Sequence, residues 1–187
     1  MNLKLIWATN NSHECAEKLC EYAKTLSDGA VVFDIDETLV HNAPIEEDCD
    51  EFLKPVFGMP DLVRTLKKNN VKVVGCTARS DTPFVRNLTT TQLLNAGIIL
   101  DEIHYMPIGT PCTHAAISRY KQNVRLNISV KYAPLHLVVG DQWTDLILCN
   151  SVNLIQLRLL YRASEEASNI AFKVNALPYL CVKCAFK

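Results

Sequence analysis

Five short apolar runs, separated by stretches with helical periodicity, constrain what this chain can fold into more than any other feature. The runs are residues 30–34, VKVVGC at 71–76, EIHYM at 102–106, LHLVVG at 135–140 and VNLIQLRL at 152–159. Helical spacing fills the intervals. Residues 12–26 carry Cys15, Leu19, Tyr22, Ala23 and Leu26 on one face behind Ser12 as N-cap. Residues 60–70 start at Pro60 and turn Leu62, Val63 and Leu66 inward. Residues 82–97 end at Gly97, and residues 112–128 form a further helix. A short helix lies between the fourth and fifth runs. Strands alternating with helices in this way predict an α/β fold: a parallel sheet of about five strands, helices on both faces and right-handed crossovers. At 187 residues the chain is expected to form one domain, with the less periodic stretch 160–187 wrapped on it as an edge element.

Acidic residues stand where such a sheet has its ligand crevice. The run VVFDIDETLV places Asp34 and Asp36 at the C-terminal end of the first strand, the edge where α/β sheets bind ligands. Two residues apart on a strand-like backbone, their side chains would lean the same way. Carboxylates that close repel, so they persist beside a cation or with one proton retained, unless the junction is simply solvated. The second strand ends in Thr77-Ala78-Arg79 and the fourth in Gly140-Asp141-Gln142-Trp143-Thr144-Asp145, while Lys121 lies on the helix before the fourth. Converged at one edge, carboxylates, a hydroxyl and an ammonium suit a magnesium ion and a bridging anion, most simply phosphate. One carboxylate could attack a phosphoryl group and the second could move the proton.

Composition narrows the partners. A net charge of −1 gives no global attraction to nucleic acid or an anionic membrane, so affinity must come from a local site. No stretch is long and apolar enough to span a bilayer, and the start MNLKLIWATNNSHECAEK lacks a sustained apolar core and small-residue cleavage site. An intracellular, cytoplasmic address is therefore the expectation, with the eight cysteines mostly reduced. The pairs Cys15/Cys20 and Cys181/Cys184 leave a structural metal or a disulfide open. The acidic run Glu46, Glu47, Asp48, Asp50 and Glu51 reads as a solvated surface, and His41, His104 and His114 show no ligand spacing.

Together, FDIDETL, CTAR, RYKQNVR and VVGDQWTDL resemble the four motifs of the haloacid dehalogenase (HAD) superfamily, within it the class B-like acid phosphatases and plant vegetative storage proteins. GDQWTDL is similar to that branch's GDQWSDL, YKQNVR to its YKSEKR, and FKVNALPYL at 172–180 to its FKLPNPMYY. The resemblance implies a HAD-like Rossmannoid three-layer sandwich and a magnesium-dependent phosphomonoester hydrolase working through an aspartyl-phosphate. It implies Asp34 as nucleophile and Asp36 as general acid/base, with Thr77, Ala78 and Lys121 around the phosphoryl oxygens. Magnesium would be held by Asp34, the Asp36 backbone carbonyl, Asp141 and Asp145, the last directly or through a water. Thr38 would brace the loop. Ala78 stands where that branch usually has glycine, which bears on how closely the backbone approaches phosphate.

The segments between Asp36 and Thr77 and between Gly109 and Lys121 are too short for a large cap domain. The loop from His41 to Met59 is then the expected wall facing substrate, with Phe52 and Phe57 either lining it or anchoring it in the core. The substrate would be a small phosphomonoester. DIDETLVHN also resembles the DLDETLVHS segment of polymerase-tail phosphatases, which keeps a phosphoprotein open, and a retired storage or binding protein is the third reading. No nucleic acid or membrane partner is expected, and homo-oligomerisation is left open.

Overall fold

The structure, a computed structural model, describes residues 8–9, 12–41, 52–146, 155–158, 181–182 and 184–185. In chain order the elements are β1 (Ala8–Thr9), α1 (Ser12–Ala23), β2 (Ala30–Phe33), α2 (Met59–Lys68), β3 (Lys72–Ser80), α3 (Pro83–Asn95) and β4 (Glu102–Met106). There follow α4 (His114–Lys131), β5 (Leu135–Gly140), α5 (Trp143–Leu146), β6 (Ile155–Arg158), β7 (Cys181–Val182) and β8 (Cys184–Ala185). The main sheet runs β4-β3-β2-β5-β6-β7, parallel throughout, and β1 pairs separately with β8.

Alternation along β2 shows why both faces are covered. Val31 and Phe33 point into one apolar cluster, with Leu19 and Ala23 of α1, Leu62 and Leu66 of α2 and Leu93 of α3. Ala30 and Val32 point into the other, with Val124 and Ile128 of α4. The chain builds outward from β2 through β3 to β4, then returns through α4 to place β5 on β2's other side. The winding thus reverses between β2 and β5, the point where an open α/β sheet leaves a crevice at its carboxyl edge.

The five expected strands and five expected helices are all present, and the boundaries differ for physical reasons. β3 extends to Ser80 because its end still pairs with Met106 beyond a bulge. The helix expected from 112 to 128 is shifted to His114–Lys131: the Thr113 hydroxyl caps its start by accepting from the Ala116 N–H at 3.2 Å, and Pro134 follows its end. The two-residue strands β1, β7 and β8 are too short to leave a periodic signal. Between β4 and α4 only residues 107–113 intervene, and no cap domain is present among the described residues. The acidic run at 46–51, FKVNALPYL and the remainder of 160–187 outside β7 and β8 lie outside the described residues.

Phe52 and Phe57 do not anchor the loop: they are 71% and 47% exposed, and the neighbouring Leu53 and Val56 are the residues buried in the core. Cys20, Cys76 and Cys112 are free thiols. Among the described residues no helix is long and apolar enough to cross a membrane.

Leu66 is fully buried where α2 meets the sheet, away from the acidic edge. Leu66→Ala is expected to lower the unfolding free energy by about 2–5 kcal/mol. Urea denaturation giving a loss below about 1 kcal/mol would mean that α2 does not pack its apolar face as described.

Candidate active site

The site grows out of the way the chain leaves β2. Its last ladder bond is donated by the Asp34 N–H to the Val139 carbonyl of β5, at 2.8 Å. The backbone then turns sharply. The Ile35 carbonyl accepts from the N–H groups of Leu39 (2.9 Å) and Val40 (3.2 Å), and Glu37 adopts a left-handed φ of 54°. Non-glycine residues rarely hold that conformation, and such outliers gather at functional sites. Because the strand ends at Phe33, Asp34 and Asp36 do not lean together as a continued strand would make them. They face different partners. Thr38 is buried in this turn, and its hydroxyl has no hydrogen-bond partner among the described residues.

Asp34 is buried against Lys121, whose Nζ reaches its Oδ1 at 2.6 Å and also donates to Oδ1 of Asp145. Asp34, Asp141 and Asp145 each bring one carboxylate oxygen to within 4.8 Å of the others. Asp145 is gripped at three points. Besides Lys121, the Gln142 N–H donates to its Oδ2 at 2.9 Å, and Arg125 Nη1 donates to its backbone carbonyl at 2.6 Å. Gly140 leaves it room, since a Cβ there would lie 2.3 Å from the Asp145 Cβ.

Three carboxylates share one ammonium, and the electrostatics record the imbalance. Burial, then the charge of Asp145, pushes the Asp34 carboxyl well above its ordinary value despite Lys121. Burial and Asp145 likewise raise Asp141 to about 6. For Lys121, burial alone would favour the neutral amine, but Asp34 and Asp145 overcome it and hold the ammonium charged. An all-oxygen, anionic donor set with too little positive charge fits a hard divalent cation. Asp36 is outside this carboxylate cluster.

The Asp36 carboxylate is instead held by Arg79. Arg79 Nη2 donates to its Oδ1 at 2.6 Å, and Nε to Oδ1 and Oδ2 at 3.2 and 3.1 Å. The Thr77 hydroxyl lies 3.4 Å from Asp36 Oδ2 and accepts from the Arg79 N–H at 3.1 Å. A bulge aims these side chains. Cys76 pairs with His104 and Ser80 with Met106, so Thr77, Ala78 and Arg79 face Tyr105 alone. On the far side of the guanidinium, Nη1 donates to Thr89 Oγ1 at 2.8 Å and Gln92 Oε1 at 2.6 Å.

The sequence-predicted residues therefore form two linked groups, Asp34, Lys121, Asp141 and Asp145 in one and Asp36 with Thr77 in the other. Arg79 and Arg125 stood inside the motifs CTAR and RYKQNVR without assigned roles, and Thr89 and Gln92 were missed. Their one signal was a polar pair three residues apart on the helix face that also turns Leu93 inward.

Comparison with known proteins agrees with the fold. The family model described as HAD superfamily, subfamily IIIB (acid phosphatase) matches residues 5–160. Among solved structures, the class C acid phosphatase from Bacillus anthracis superposes with a TM-score of 0.58 at 11% identity, covering 90% of this chain and 73% of that one. The same organism's class C acid phosphatase with tungstate bound gives 0.53 at 13% identity, covering 89% and 70%. A chain of the Pnkp1/Rnl/Hen1 complex gives 0.54 at 13% identity, covering 72% and 47%. No curated protein sequence matches significantly.

The Asp141 carboxyl gives a pH test. In the folded, metal-free protein it keeps its proton up to about pH 6, whereas in the unfolded chain it ionises near 3.8. The folded state binds that proton more tightly, so this group's stabilisation is lost as pH rises from about 4 to about 6. In chelator, Asp141→Asn should therefore gain stability relative to wild type across that window and no further above it. Denaturation curves at pH 4, 5, 6 and 7 with a constant difference between the two proteins would contradict this.

Proposed function

Because this chain belongs to the subfamily IIIB acid phosphatases of the HAD superfamily, we propose that it is a magnesium-dependent phosphomonoesterase working through a phosphoaspartate on Asp34. The observation that carries the reading is the buried contact of the Asp34 carboxylate with the Lys121 ammonium, at the edge where Asp141 and Asp145 converge. Such a cluster is costly to bury for stability alone, because each ion loses its water.

Asp34, Asp141 and Asp145, with the Asp36 backbone carbonyl, would hold the metal. When bound, magnesium supplies the positive charge that favours ionised carboxylates and neutralises phosphoryl oxygens. Lys121 and the Thr77 hydroxyl, with the Ala78 backbone, bind the remaining phosphoryl oxygens. An Asp34 oxygen attacks phosphorus, the bond to the ester oxygen breaks, and Asp36 gives its proton to that departing oxygen. Water then attacks the phosphoaspartate while Asp36 takes a proton from it, which releases phosphate, restores the Asp34 carboxylate and returns Asp36 to its protonated form. Tungstate, held by one structural neighbour, is a tetrahedral oxyanion of the kind the same edge would take here.

Asp34→Asn should abolish turnover of every phosphate ester while leaving the fold intact, because the amide cannot readily form the acyl-phosphate. Asp36→Asn should lower kcat/KM, which reports the transfer of the phosphoryl group to Asp34, by about 10²- to 10⁴-fold on alkyl phosphates but much less on a nitrophenyl ester, whose leaving oxygen needs no proton. Rapid-quench labelling separates the two: phosphoenzyme never forms in the first and builds up in the second. Equal losses of Asp36→Asn on both ester types, without a trapped intermediate, would remove the acid/base assignment. Chelation should abolish wild-type turnover and magnesium restore it, and full activity after exhaustive chelation would overturn the metal requirement.

A further inference from the structure

We propose that Arg79, Thr89 and Gln92 are positioning residues that hold the Asp36 carboxylate in place for proton transfer, an inference that rests on the acid/base role assigned to Asp36 above. Every nitrogen of the Arg79 guanidinium is committed. Nε and Nη2 meet Asp36, and Nη1 meets Thr89 Oγ1 and Gln92 Oε1. A planar guanidinium presents its donors in a fixed fork, so anchoring one edge sets the direction of the other. The anchors belong to α3, whose own start is fixed by the Thr82 cap and Pro83.

Burial separates anchor from acid. Thr89 is fully buried and Gln92 is 6% exposed, whereas the Asp36 side chain is 27% exposed and open to a substrate. Neither anchor can touch a phosphate ester, so any kinetic effect of theirs must pass through Arg79. Two polar side chains at i and i+3 on a buried helix face cost free energy unless bonded, and here both accept from the same guanidinium. Arg79 would otherwise be a long, freely rotating chain. Tied to α3 it becomes a strut, and Asp36 is aimed from outside its own turn. Displacing a reacting group by about 1 Å can cost about 100-fold in rate.

The experiment compares Thr89→Val, Gln92→Met and Thr89→Ser with Asp36→Asn, using glycerol phosphate and nitrophenyl phosphate in saturating magnesium. Thr89→Val and Gln92→Met should each lower kcat/KM on glycerol phosphate by about 10- to 100-fold, with a loss below about threefold in kcat/KM on nitrophenyl phosphate. Thr89→Ser, which keeps the hydroxyl, should restore the alkyl rate. Urea denaturation identifies which variants are folded under assay conditions, and Thr89→Val and Gln92→Met change volume little. Proportionate losses on both esters, or no loss, would overturn the positioning role while a leaving-group-selective Asp36→Asn left the acid/base reading standing. A non-selective Asp36→Asn would overturn that reading and this inference with it.

Discussion

One buried ammonium among three carboxylates governs this molecule. Lys121 bonds Asp34 and Asp145 with almost no water to share the charge, and Asp141 lies beside them. Removing the ammonium would leave buried carboxylates uncompensated, at a cost of about 3–5 kcal/mol, whereas a loss of the Asp34 charge leaves Lys121 still bonded to Asp145. The surroundings are arranged accordingly. α4 supplies Lys121 and, one turn on, Arg125 against the Asp145 carbonyl, while Gly140 gives way so that the Asp145 side chain can fold back toward β5. The residual negative charge leaves an all-oxygen edge of the kind that suits a hard cation.

The second carboxylate lives under different rules. Asp36 sits only two residues from Asp34, yet it is bonded by a guanidinium and partly open, while Asp34 is buried beside an ammonium. Two chemically identical side chains can take opposite roles when their environments differ in this way. The left-handed Glu37 and the bulge at Thr77–Arg79 produce the difference: one turns the chain after Asp34, and the other brings Arg79 up to meet Asp36.

The layered fold was legible because β-branched runs and helical spacing are local signals, and each core strand and helix carried its own. The carboxylate cluster was legible because chemically loaded residues recur at strand ends, where parallel topology must gather them. What the sequence concealed depended on geometry with no local mark. The divergence of Asp34 and Asp36 follows from a turn that begins one residue after β2, and alternation assumed that the strand continued. Arg79 reads as a motif letter until Thr89 and Gln92 are seen behind it, and those two read as ordinary polar residues on a helix. Phe52 and Phe57 look like core anchors beside Leu53 and Val56, and only the folded loop sorts them.

The reversal of winding between β2 and β5 has a consequence for the chain as it is synthesised. β2, the strand that carries the first acids, is paired on one side by β3 soon after it leaves the ribosome, but its other edge must wait for β5, with Ala30 meeting Leu135. Until then an apolar parallel edge stands open, and Asp34 lacks the ammonium it will be buried against. Long-range parallel pairing of this kind is slow and exposes nascent chains to mispairing. The nascent polypeptide therefore passes through a stage in which the half that holds Asp34 exists without the half that makes its burial tolerable, and cellular holding factors would have most to do during that stage.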